Sequence, residues 1–401
     1  MKYNDFAVFL RGFCLDLTGK PHFVITDDSA NIPDGAMNVD FLSQDNTADD
    51  IRSAYNKWKS KYSCEIGDND VLLPSCAVLS ANGKPEKVFW IERDFDSAQK
   101  RLKERNASPV IETLVKKTNI VNAEDRANIV RNKIAVVTGG AQGIGEEIVR
   151  NLAAAGAFVF IADLNLDGAY KLARQINENE KRTAAFAVGV NVADEDSAEA
   201  MFKIITNTAG GLDICVSNAG VLKAGSVLEQ KLDEFKFVTD INYTGFFVIC
   251  KFAGRLFRTQ HQTSPNWKTD IIQVNSKSGL EGSNKNGAYS GGKFGSLGLT
   301  ASFALELVEY GIKVNAVCPG NFLDGPLWSD PDKGLFVQYL KTGKVPGAKT
   351  IEDVRVFYES KVPMKRGCTG KDLTRAIFYI IEQEYETGQA VPVTGGQVML
   401  H

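Results

Sequence analysis

Tyr289 and Lys293 stand four positions apart in Ala288-Tyr-Ser-Gly-Gly-Lys293, where the chain opens a stretch that reads as a long helix. On a helix, positions i and i+4 share a face, so the ammonium is expected beside the phenol. A fixed positive charge favours the phenolate, and it makes a side chain of ordinary pKa near ~10 usable as an acid/base at neutral pH. The chemistry this pair suits is proton transfer to or from an alcohol.

Such a pair needs elements that bring a reactant to it. Upstream, Lys133-Ile-Ala-Val-Val-Thr138 is a short β-branched run that reads as a buried strand, and it feeds Gly139-Gly-Ala-Gln-Gly-Ile-Gly145. A helical pattern with Ile148, Leu152 and Ala155 on one face follows at once. Strand, glycine turn and helix together bring a pyrophosphate against backbone N–H groups at a helix N-terminus. A second apolar run, Phe158 to Ala162, ends in Asp163, which suits a carboxylate bonding the adenosine ribose hydroxyls. That carboxylate repels a 2′-phosphate, and neither Leu164 nor Asn165 offers a cation to receive one, so NAD is expected rather than NADP.

From Lys133 onward, strand and helix patterns alternate, with strands expected near 133–138, 158–163, 184–190, 213–217, 270–275, 312–317 and 391–394. The alternation predicts an α/β fold with a Rossmann-type, doubly wound parallel sheet. Ligands then sit outside the carboxyl ends of the strands, where Gly140, Asn218, Ser276 and Gly320 fall. Asp324 to Lys365, rich in proline and glycine, reads as a substrate-covering lid with short helices. The boundary is placed near Asn132, dividing the chain into residues 1–130 and 131–401. The first part reads as a small α/β module: helices over Phe6–Leu17, Ala48–Tyr62 and Phe95–Arg105, and strands over His22–Thr26, Ser75–Leu79 and Val88–Ile91. A reduced metal-dependent aldolase domain is one origin for such a module, but the lone His22 cannot build that site, and a structural or oligomerisation role is expected.

Further strings place these features in a family. Thr138 to Gly145 matches Thr-Gly-x-x-x-Gly-x-Gly, and to it are added Ser217-Asn-Ala-Gly220, Ile241-Asn-Tyr243, Asn275-Ser-Lys-Ser-Gly279 with Ser276 thirteen residues before Tyr289, and Pro319-Gly320. In this order the chain resembles the short-chain dehydrogenase/reductase family. The resemblance implies catalytic roles for Asn242, Ser276, Tyr289 and Lys293. It implies NAD contacts from Gly139, Gln142, Gly143, Ile144, Gly145, Asp163, Asn191, Val192, Asn218, Ala219, Gly220, Pro319 and Gly320, as well as from Tyr289 and Lys293. The chain departs from the family at Asn191-Val192, where Asp is common, at Ser217, where Asn is usual, and in Asn321 to Asp324, where the usual Thr is not evident.

The later strings Gly287 to Gly295, Glu309 to Ile312, Val362 to Cys368 and Val393 to Met399 resemble members of that family that act on sugar alcohol phosphates. The implied reaction is NAD-linked oxidation of sorbitol 6-phosphate at C2 to fructose 6-phosphate. Ser276 and Tyr289 would meet the hydroxyl, and Lys277 and Arg366 the phosphate. The rivals are an unphosphorylated polyol, a hydroxy-acyl substrate, or a nucleotide-sensing protein without catalysis.

Composition agrees with a cytoplasmic enzyme, expected as a dimer or tetramer. The 401 residues are 44% hydrophobic with a formal net charge of −3, and they carry no basic block of the kind that binds nucleic acid. Asp5, Arg11 and Asp16 interrupt what would be the apolar part of a signal peptide, and no run of about 18 apolar residues could span a membrane. The seven cysteines are scattered and read as reduced thiols, and with three histidines no cluster suggests a metal.

Overall fold

The computed structural model of the chain describes residues 3–27, 32–40, 47–62, 70–81, 84–114, 126–332, 334–341, 343 and 345–399. It begins with α1 (Tyr3–Thr18), β1 (Phe23–Asp27), β2 (Met37–Asp40), α2 (Thr47–Lys59), β3 (Asp70–Leu73), β4 (Cys76–Ala81), β5 (Lys84–Glu92), α3 (Phe95–Glu104) and β6 (Val110–Thr113). Four of these strands form a sheet in the order β1-β5-β4-β2, with β3 and β6 paired apart from it. The three expected helices and three expected strands are present within a few residues. The other three strands were not anticipated, because each is only four residues long and β2 alternates buried and exposed over Met-Asn-Val-Asp, too short a run for a period to register. Part of the connection from this module to the next strand, 115–125, lies outside the described residues.

The second part carries β7 (Ile134–Thr138), α4 (Gly143–Ala154), β8 (Phe158–Asp163), α5 (Leu166–Glu180), β9 (Ala185–Gly189), α6 (Glu195–Ala209), β10 (Ile214–Ser217), α7 (Leu232–Thr239), α8 (Gly245–His261), β11 (Thr269–Val274), α9 (Gly287–Leu307) and β12 (Ile312–Pro319). It continues with three short helices, α10 (Pro326–Ser329), α11 (Leu335–Lys341) and α12 (Ile351–Ser360), and closes with α13 (Gly370–Glu382) and β13 (Ala390–Val393). All seven strands lie parallel in the order β13-β12-β11-β10-β7-β8-β9. Every residue of β7 is buried, as a strand covered on both faces requires, which explains its uninterrupted apolar run. One face packs Ile148, Leu172 and Ile377 of α4, α5 and α13; the other packs Met201, Ile205, Ile249 and Phe257 of α6 and α8.

The order reverses between β7 and β10, so their carboxyl ends splay apart into a crevice, the place where open α/β sheets hold ligands. Val137 lies opposite both Val216 and Ile161, which fixes how the three loops above the crevice line up. The module lies below, at the amino ends of the strands: Val8, Phe23, Ile25 and Ala98 join one apolar cluster with Phe158, Ile205 and Phe257. Helices α10 to α12 gather over their own small core of Leu323, Trp328, Phe336 and Val354.

Candidate active site

Tyr289 and Lys293 both fall on the first turns of α9, and the Lys293 Nζ lies 5.7 Å from the Tyr289 ring centroid. The loop leaving β11 brings Ser276 to the same place, its hydroxyl close enough to the Tyr289 phenol to favour the phenolate. Asn275 fixes that juxtaposition. Its Nδ2 donates to Lys293 O at 3.0 Å and to Ser296 Oγ at 3.2 Å, while its Oδ1 accepts from Ser276 N at 2.8 Å. Ser290 Oγ donates to Ser278 O at 2.7 Å, a second stitch between the loop and the helix.

The electrostatics differ from the expectation of a phenolate made by its lysine. Burial raises the Tyr289 pKa, and the Ser276 hydroxyl opposes this only in part. Burial also pushes Lys293 down to about 8, and its Nζ donates to Val274 O at 2.9 Å rather than to the phenol. In the protein alone, removing both groups from water outweighs their attraction. Cys318 interacts electrostatically with Lys293, and burial holds the thiol protonated with a pKa of about 12.

Asn242 is buried in a widened helical turn, Asp240–Thr244, where Gly245 N reaches back five residues to Asp240 O. Such turns interrupt the ordinary ladder and concentrate at functional sites. The Asn242 amide is committed to Val221, accepting from its N–H and donating to its carbonyl, both at 2.8 Å. Gly220 lies between Asn242 and Lys293, since a Cβ there would stand 3.1 Å from Asn242 Oδ1 and 3.8 Å from Lys293 Nζ.

On the other side of the crevice, Gly139 takes a φ of +61°. A Cβ on Gly145 would come within 2.0 Å of Gly139 O, so the turn closes only on glycine. Asn218 shapes the loop from beneath: its Nδ2 donates to Thr138 O and Gly139 O, both at 2.9 Å. Thr138 Oγ1 in turn accepts from Asn218 N at 3.0 Å and Ala219 N at 3.1 Å. Gln142 occupies the N-cap of α4 without a side-chain cap bond, so the first-turn N–H groups of this helix stay available to an anion. Asp163 ends β8 beside them, accepting from Ala141 N at 2.9 Å and Asn165 N at 2.8 Å. The helix cap is Asn165, not Asp163, and a carboxylate with two bonds retains lone pairs for ribose hydroxyls. These residues fit a nicotinamide dinucleotide.

Asn191 is exposed past the end of β9, and Val192 is buried with a Cγ2 3.0 Å from where a Cβ on Gly245 would be. Pro319 closes β12, and Gly320 N donates to Val393 O at 2.9 Å. In the next loop, the Phe322 ring packs against Gly325, where a Cβ would meet its Cδ1 at 2.2 Å.

Of the two cations assigned to a phosphate, Lys277 faces Glu281 at a loose 3.4 Å, whereas the Arg366 fork is engaged by Asp372 at 2.5 and 3.0 Å. Asp372 also completes the capping box of α13 with Thr369, and Arg366 holds its carboxyl well below the usual carboxylate range. A cavity of about 360 Å³ beside Arg366 is lined by Val362, Met364, Cys368 and Gln397 and by none of Asn242, Ser276, Tyr289 and Lys293. Among the described residues no cluster of His, Cys, Asp and Glu could hold a metal, and no helix is long and apolar enough to cross a membrane.

Comparison with known proteins agrees with this geometry. A family model described as short chain dehydrogenase matches residues 133–330. Sorbitol-6-phosphate 2-dehydrogenase of Escherichia coli (strain K12) is 37% identical over 271 residues, covering 67% of this chain and 99% of that protein. The crystal structure of sorbitol-6-phosphate 2-dehydrogenase from Erwinia amylovora superposes with a TM-score of 0.61 at 38% identity, covering 66% of this chain and all of that one. An actinorhodin polyketide ketoreductase solved with NADPH superposes at 0.58 with 26% identity, over 66% of this chain and 97% of its own.

Proposed function

The chain belongs to the short-chain dehydrogenase family, and from that premise we propose that it moves hydride between NAD and a secondary alcohol of a sugar alcohol phosphate, oxidising sorbitol 6-phosphate to fructose 6-phosphate. One observation supports the chemistry above others: Ser276 and Lys293 both flank Tyr289, at the carboxyl edge of the sheet and next to a glycine loop open to a pyrophosphate. The substrate assignment rests on the likeness to the two sorbitol-6-phosphate dehydrogenases.

The substrate hydroxyl bonds Ser276 and Tyr289 together. Tyr289 takes the hydroxyl proton, and Ser276 steadies the oxygen as its bond to carbon becomes a carbonyl. The cofactor, when bound, accepts the hydride and adds a positive charge that lowers the phenol pKa. Lys293, with a pKa of about 8, can exchange protons near neutral pH, and Asn242 lies one glycine away to shape its route to solvent. Asp163 supports NAD over NADP, because a 2′-phosphate would approach a carboxylate that already caps the loop.

A second reading, an unphosphorylated polyol or a hydroxy-acyl substrate, is favoured by the engagement of Arg366 with Asp372, which leaves Lys277 as the cation beside Ser276. We further propose a cytoplasmic homo-oligomer joined through α8 and α9, where Phe247, Phe294 and Leu305 are exposed. Purified protein with NAD or NADP, offered sorbitol, sorbitol 6-phosphate and mannitol 1-phosphate and followed by absorbance of the reduced cofactor, tests the assignment. Sorbitol 6-phosphate with NAD should give the highest kcat/KM; a preference for either unphosphorylated sorbitol or NADP would overturn that part of it.

A further inference from the structure

The two strands that frame the cofactor crevice are tied at both ends, and the lower tie is completed by the amino-terminal module. At the upper end, Thr138 of β7 and Asn218 after β10 exchange the hydrogen bonds that shape the glycine loop. At the lower end, Asp213, immediately before β10, accepts from Ile134 N of β7 at 2.8 Å and donates its own N–H to Ile134 O at 2.8 Å. Trp267 Nε1 bonds its other oxygen at 3.0 Å. This carboxylate is 1% exposed, and the cation that faces it comes from α1: Arg11, 0% exposed, whose Nη2 reaches Asp213 Oδ2 at 2.7 Å. The rest of the Arg11 fork is satisfied across the same seam, with Nε donating to His22 O and Nη1 to Gln260 Oε1, both at 2.8 Å.

The surface that receives α1 is shaped for it. A Cβ on Gly12 would fall 2.6 Å from Gln260 O, so the helix approaches α8 as closely as glycine permits, and Thr263 Oγ1 donates to Phe9 O at 2.8 Å. A buried ion pair gives little net stability against an apolar pair, but it demands one geometry and penalises any other. A shift of β10 against β7 would break the Asp213 bonds below and the Thr138–Asn218 bonds above together. The relatives compared above are matched almost end to end by the dehydrogenase part alone, so the module is an addition to it.

We infer that Arg11 is a positioning residue for the dinucleotide: through Asp213 it holds the register of β7 and β10, so that docking of the amino-terminal module and binding of cofactor strengthen each other. Coupling of this kind is reciprocal, which gives it two independent readouts.

The first is titration of NADH and NADPH fluorescence in Arg11→Met, using whichever dinucleotide binds the unaltered protein more tightly. Kd should rise by about fivefold or more, with Arg11→Lys between Met and the unaltered protein. Phe13→Ala, which loosens the module core around Tyr55 and touches neither β7 nor β10, should lower the melting temperature while leaving Kd unchanged. Equal Kd in Arg11→Met and the unaltered protein, or an equal rise in Phe13→Ala, would overturn the inference. The second needs no variant: dinucleotide should slow amide hydrogen exchange in β1 and β5 of the module as well as in β7 and β10. Protection confined to β7 and β10 would also overturn it.

Discussion

At the scale of single residues, burial disfavours the charged form of both members of the proposed catalytic pair, Tyr289 and Lys293. Tyr289→Phe removes the proton acceptor and keeps the ring, so turnover should fall by about 10²-fold or more while dinucleotide affinity, read by fluorescence titration, stays near that of the unaltered protein. Lys293 offers a test that needs no substrate. Its pKa is depressed from 10.5 to about 8, so between those values the unfolded chain binds more protons than the folded one, and stability rises with pH. At roughly 1.4 kcal/mol per unit, the cofactor-free protein should gain on the order of 3 kcal/mol relative to Lys293→Met across that window. The gain is clearest between pH 8 and 10, because Tyr289, whose pKa is raised, is expected to add a falling contribution only above its unfolded value. Chemical denaturation of both proteins at several pH values checks this, and parallel curves would refute it.

At the scale of elements, the parallel strands were legible because most are buried, largely apolar runs ending in a turn, with only β13 left partly exposed at the sheet edge, and the glycine loop because its spacing is dictated by a close backbone approach. What escaped notice depends on contacts distant in sequence. Asp213 looks like any strand-flanking acid until Arg11, 202 positions away, is seen against it. Thr138 was readable only as a motif letter, and its role as the acceptor for two N–H groups appears with Asn218 in place. Arg366 shows the converse, since a forked cation near the expected lid suggests a phosphate, and its engagement by Asp372 at the cap of α13 appears only in the fold. Arg366→Ala should therefore lower the melting temperature by exposing an uncompensated cap, with similar KM changes for sorbitol and sorbitol 6-phosphate. Lys277→Ala should instead raise KM for the phosphorylated substrate alone, by about 10-fold for one lost charge-assisted bond. Steady-state kinetics on both substrates separates the two.

At the scale of the whole molecule, the chain divides labour along the strand axis: the proposed chemistry at the carboxyl ends, attachment of the module at the amino ends, and a flank on α8 and α9 with exposed Phe247, Phe294 and Leu305. A groove on that flank is lined by Phe247, Phe303 and Leu307 together with charged side chains such as Arg255, Arg258 and Glu306, and Leu305 of α9 is 82% exposed. Leu305→Asp costs the isolated chain little, because the side chain is already in water. In a self-associating protein it should shift sedimentation from the oligomer to the mass of one chain, and an unchanged profile would place the contact elsewhere.

The four tryptophans are distributed by the same division. Trp58 and Trp90 are buried in the module, Trp267 bonds the carboxylate on which the module docks, and Trp328 sits among Phe336, Tyr339 and Tyr358 over the site. Each region thus carries its own fluorophore in a distinct quenching environment. A variant keeping Trp267 alone would report the seam through a neighbouring carboxylate and the Lys133 ammonium 5.5 Å from the ring, and one keeping Trp328 alone would report the covering helices. The emission of this protein can be separated into optical channels that follow attachment of the module and the surroundings of α10 independently, without any label added from outside.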